Sequence, residues 1–187
     1  MKKLMIAVAI VCAAAMSQAA SVTWGTGGTV KPDGSTTAAS KTLEIFVWTV
    51  ADQTAYDKID IADIWSTYGN ASLSEMEKTA TAYKDQIGGS MGGKAQIDNV
   101  PNSTTLYGII ITAYDKDLDG KVDLYAANKA IGSVNDSGTA TSPNGLAKFV
   151  GGGTSGTAVT WQSVPEPTSG LLLLLGVAGL ALRRRRA

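Results

Sequence analysis

Two apolar stretches, one at each end and each beside a basic cluster, decide how much of this 187-residue chain is left to fold. At the start, Lys2 and Lys3 precede an apolar run over residues 4–16, and the small residues Ser17 and Ala19 flank Gln18. That order is the one a secretory signal peptide needs, so residues 1–19 read as a signal cleaved after Ala19. The run is short for a retained span, which takes about 20 apolar residues. At the far end Val164, Pro165, Glu166 and Pro167 lead into an apolar span over residues 168–182, followed by Arg183, Arg184, Arg185 and Arg186. The two prolines hold an extended segment that an enzyme can grip, since proline fixes its own φ and biases the residue before it away from the helical region. The arginines orient a single transmembrane segment with its tail inside and the body outside, and they reach the interface by snorkelling. Residues 20–163 remain, enough for one domain with one core.

The residues 164–187 resemble the PEP-CTERM sorting signal, in which a Pro-Glu-Pro box, a Leu/Gly/Ala-rich span and a terminal Arg cluster follow in this order. The resemblance implies recognition of Pro165, Glu166 and Pro167 by an exosortase, an integral-membrane cysteine protease that removes the tail. It further implies export through the Sec machinery, an inner-membrane anchored precursor, and delivery to the cell surface or extracellular matrix of a Gram-negative bacterium alongside exopolysaccharide. The same short region is sometimes labelled an ice-binding protein C-terminal segment, which implies nothing about ice for this body.

The formal charge of zero hides an acidic body, because the basic residues cluster at the ends. From residue 20 to residue 167, ten lysines face sixteen carboxylates, and no arginine is present. Nucleic acid is excluded as a partner on that charge, since its binding rests on Lys and Arg neutralising phosphates. The chain has no histidine, and its one cysteine, Cys12, lies in the signal behind the bulky Val11, unlike a lipoprotein cleavage box. A thiol nucleophile, an imidazole base and the ordinary zinc ligands are therefore missing from the body. Burial and backbone hydrogen bonds must hold it without a disulfide.

The body reads as mainly β, a sandwich or twisted antiparallel sheet, with a two-helix insertion over residues 52–87. The run Leu43–Val50 is β-branched and aromatic, as a central strand buried on both faces would be. Ile61, Ile64, Trp65 and Tyr68 fall on one helical stripe that ends at Gly69 and Asn70. Ser72 and Glu75 have capping-box spacing, opening a second helix with Leu73, Met76, Ala80, Tyr83 and Ile87 on one face. These aromatic residues are expected in the core rather than on a sugar-binding surface. Strands are expected over residues 105–114 and 121–127, joined by a turn containing Asp119 and Gly120. A Val-Thr-Trp core recurs at residues 22–24 and 159–161, and an economical reading pairs the first and last strands side by side.

Between those hairpin strands, Asp115, Asp117, Asp119 and Asp123 stand at positions one, three, five and nine of a calcium-type loop, with Gly120 at six. Alternate carboxylates in a tight loop suit a hard cation such as Ca2+. Position twelve is Ala126, where an EF-hand supplies a bidentate carboxylate, and the flanks are strand-like, so the loop is expected to cap a hairpin. The leading expectation is a noncatalytic surface or matrix protein with no cofactor. The alternatives are a glycan- or calcium-binding module, and a hydrolase with two carboxylates about 5–10 Å apart.

Overall fold

The computed structural model describes residues 20–25, 30–34, 38–39, 41–85, 94–141 and 160–165. The strands are β1 (Ala20–Gly25), β2 (Leu43–Val50), β3 (Ala82–Asp85), β4 (Lys94–Val100), β5 (Thr104–Tyr114), β6 (Leu124–Val134), β7 (Ala140–Thr141) and β8 (Gln162–Ser163). The main sheet runs β3-β2-β5-β6-β7, with β8 also on β6, while β1 and β4 form a separate ribbon. All pairs are antiparallel.

Side chains on a strand alternate between faces, so a strand apolar at nearly every position belongs between two layers. Ile45 and Val47 of β2, with Ile110 of β5, pack against Val22 and Trp24 of the ribbon. Their neighbours Phe46 and Trp48, with Ile109 and Ile111, pack instead against Ile64, Trp65 and Met76 on the opposite face. The result is three layers: ribbon, sheet, helices. Gly108 of β5 makes the first contact close, since a Cβ there would lie 2.9 Å from the Trp24 ring.

The helical layer differs from the expected hairpin. It comprises α1 (Gln53–Asp57), a 3₁₀ turn (Ile61–Asp63) running into α2 (Ile64–Tyr68), and α3 (Leu73–Thr79). Of the expected stripe, Ile64 and Trp65 are buried, whereas Ile61 sits in the 3₁₀ turn at 49% exposed. Trp65 stacks on Tyr125 at 4.0 Å between centroids, so it belongs to the core. The second helix stops early because Ala80 turns extended and Thr81 N–H donates to the Val47 carbonyl at 2.6 Å. The edge of β2 thereby gains β3, and Tyr83 stacks on Phe46 at 4.7 Å. Backbone pairing of a buried strand outweighs another helical turn. Ile87 lies outside the described residues. The capping box does not form: the Ser72 hydroxyl bonds to that of Ser74, and Glu75 pairs with Lys78.

Among the described residues the first and last strands do not pair. β1 lies on β4, with Trp24 opposite Ala95, and β8 lies on the start of β6. The seven residues of β4 offer β1 a full-length partner, whereas β8 has two. Trp161, the end of the second Val-Thr-Trp segment, still packs on the cluster that holds Val22 and Trp24, and Val159 lies outside the described residues. The second hairpin strand starts at Leu124 rather than 121 and reaches Val134.

One lysine ties the helical layer to the sheet. Lys129 Nζ donates to the carbonyls of Tyr56 at 2.8 Å and Ile59 at 2.9 Å, and stands 4.6 Å over the Tyr56 ring. Lys129→Met, which keeps the stem and removes the donors, is expected to cost about 1–2 kcal/mol in urea unfolding. A loss below a few tenths would contradict this anchoring role.

Candidate metal centre

β5 and β6 stay in register down to Tyr114 opposite Leu124, so residues 115–123 are the loop that joins them. Asp115 leaves β5 with its N–H donating to the Thr42 carbonyl at 2.9 Å, which places its side chain inward at 3% exposed. Its Oδ1 accepts the Asp119 N–H at 3.2 Å and its Oδ2 the Gly120 N–H at 2.9 Å. The chain thus winds around this carboxylate instead of making a two-residue turn. Leu118 (φ 62°) and Gly120 (φ 84°) are left-handed, and a Cβ on Gly120 would meet nothing within 4 Å. Backbone angle, not crowding, is what calls for glycine there. Asp123 closes the loop, its Oδ2 accepting the Lys116 N–H at 2.7 Å while its own N–H donates to the Tyr114 carbonyl at 2.9 Å.

Of the four expected ligands the fold gathers three. Asp115, Asp117 and Asp123 each place a carboxylate oxygen within 4.8 Å of the others. Two oxygens on one calcium ion, each at about 2.3–2.6 Å, lie at most about 5 Å apart, so these residues fit a shared hard cation. The oxygens that already accept a backbone N–H keep a second lone pair for it. Asp119 instead turns to Lys121, accepting its N–H at 2.8 Å and its Nζ at 3.2 Å. Ala126 is fully buried in β6 opposite Thr112, so position twelve contributes no ligand.

The backbone and side-chain hydrogen bonds from Lys121 hold the Asp119 carboxyl below its ordinary value of 3.8. A lowered value means that this contact supports the loop above the ordinary carboxylate range and is lost as pH falls through the lowered value. An NMR titration of Asp119 is expected to show a midpoint under 3.8, and a midpoint above it would contradict the contact.

The loop is docked on the helical layer. Leu73 N–H donates to the Gly120 carbonyl at 3.2 Å, and Val122 N–H to the Ala71 carbonyl at 3.0 Å. An open cleft of about 550 Å³ lies alongside, bordered by Glu44, Ser74, Glu77, Tyr83, Asp119 and Lys121.

The C-terminal segment reaches this loop too. Val164 N–H donates to the Asp123 carbonyl at 3.2 Å, and its side chain packs half-buried on the helix-side core. Pro165, the first residue of the expected box, follows at the surface. Ala19, Glu166, Pro167 and Arg183 to Arg186 lie outside the described residues, as do the signal segment and the apolar span. Among the described residues no helix is long and apolar enough to cross a membrane. The sequence reading missed the docking of Val164, because Trp161 and Val164, three residues apart, fall on opposite faces of a strand and leave no one-sided alternation to read.

The family model of the PEP-CTERM protein-sorting motif matches residues 163–186. The chain carries a C-terminal exosortase-sorting signal, which makes it an exported protein with a membrane-anchored precursor. No curated protein and no solved structure matches the chain.

Proposed function

We propose that the protein is a noncatalytic component of the cell surface or extracellular matrix, delivered by exosortase processing and associated there with exopolysaccharide. The observation that carries this reading is the sorting motif at residues 163–186 joined to a body without histidine or cysteine. The acidic charge of that body and its layered β core suit a passive matrix component. A hydrolytic reading would fall to carboxylates such as Glu44 and Glu77 beside the cleft. Incubated with polysaccharide extracted from the host matrix, the mature domain is expected to co-sediment and to release no reducing ends. A domain left in the supernatant at saturating polysaccharide would contradict the association, and new reducing ends would contradict the noncatalytic part.

The convergence of Asp115, Asp117 and Asp123 supports a second reading, a surface module that takes up calcium at the β5–β6 loop. Asp117 is exposed on the loop, so Asp117→Asn takes one negative charge from the ligand set with little cost to the fold. Millimolar Ca2+ is expected to raise the Tm of the wild-type domain by several degrees, and that of Asp117→Asn by much less. Equal shifts in both, or none in the wild type, would remove calcium from the account.

A further inference from the structure

The sorting motif and the folded domain overlap. The matched stretch starts at Ser163, which is still paired with Leu124 in β8, and its next residue, Val164, is bound through its N–H to Asp123. Strand alternation sends neighbouring residues to opposite layers. Trp161 packs on the ribbon-side core, edge-on to Tyr114 at 6.5 Å, while Gln162 accepts the Tyr125 hydroxyl at 2.8 Å and Val164 packs on the helix-side core. No linker separates this anchorage from Pro165.

An enzyme that grips its substrate as an extended strand uses main-chain groups along the segment as well as the side chains of the box. Here those groups belong to the fold. We infer that β8 and Val164 act as a latch that withholds the N-terminal side of the Pro-Glu-Pro box, so that the sorting enzyme engages the box only when this short segment undocks. Tyr125 and Asp123 are then positioning residues for processing, acting through Gln162 and Val164. A terminal strand of two residues opens locally far more easily than the domain unfolds, so processing samples a frayed end of an otherwise folded protein. The inference rests on the exosortase reading and adds to it a rate that the body controls.

Two variants of the full-length precursor test this in the native host, by pulse-chase of the shift from precursor to mature mass. Tyr125→Phe keeps the ring that stacks on Trp65 and removes only the hydroxyl that holds Gln162. It is expected to speed processing about fivefold, the size set by one net hydrogen bond. A Gly/Ser linker of about six residues inserted between Gln162 and Ser163 leaves residues 163–186 whole but frees them from the fold. It is expected to speed processing at least as much, and in its presence Tyr125→Phe should add nothing. Unchanged rates in both variants, slower processing on loosening, or an effect of Tyr125→Phe that persists behind the linker would each overturn the latch. A wild-type chain that is never processed would overturn it together with the sorting reading, whereas processing at equal rates would overturn the latch alone.

Discussion

Trp24→Ala is expected to destabilise the domain by about 3–5 kcal/mol. Trp24 is fully buried between the ribbon and the sheet, in the cluster formed by residues of β1 to β6. The ribbon has two strands, too few to stand alone in water, and its attachment to the sheet depends on this apolar contact. Gly108 is the other half of the contact. Gly108→Ala would put a Cβ 2.9 Å from the indole, an overpacking expected to cost about 1–3 kcal/mol. Because both changes act in one space, the alanine at 108 should cost much less once Trp24 is gone, and urea unfolding of the double variant reads that coupling. A Trp24→Ala loss under 1 kcal/mol would mean that the ribbon is held by something else.

Asp115→Ala is expected to cost about 2–4 kcal/mol without any metal. The Asp115 carboxylate accepts two backbone N–H groups, from Asp119 and Gly120, and hydrogen bonds to a charged group are among the stronger ones. Removing it leaves both donors without a partner inside a loop that itself supports the start of α3 and the docking of Val164. Hydrogen exchange of the Asp119 and Gly120 amides should accelerate in step with the loss of stability, and the Leu73 amide should follow. Asp115→Asn keeps one acceptor oxygen and is expected to fall between alanine and wild type. If Asp115→Ala left exchange unchanged, the carboxylate would be a bystander to the loop's shape.

The central strands were legible because their residues satisfy two layers at once: a run such as Leu43–Val50 has no alternative to burial on both faces. Trp65 and Met76 were legible as core because helical spacing put each on the apolar face of its own helix. What failed was decided at long range. Tyr83 has the spacing to continue a helix, yet the open edge of β2 and the ring of Phe46 drew it into a strand. The pairing of β1 depended on β4, whose exposed and polar positions give little sign of a strand that buries Ala95 against Trp24. In the acidic loop Asp115, Asp117 and Asp123 converge as their spacing suggests, but the diversion of Asp119 to Lys121 came from a neighbouring cation two residues away, which a ligand pattern does not weigh. The sorting motif needed no tertiary information, since its box, apolar span and arginines are contiguous in the chain.

The most direct measurement is the intact mass of the protein from its native host, taken on envelope and medium fractions with both termini mapped. A mature chain that begins at Ala20, ends near Pro167 and is recovered outside the inner membrane is the expected result. A chain that still carries Arg183 to Arg186 and stays in the inner membrane would contradict sorting-enzyme processing and leave a tethered periplasmic domain.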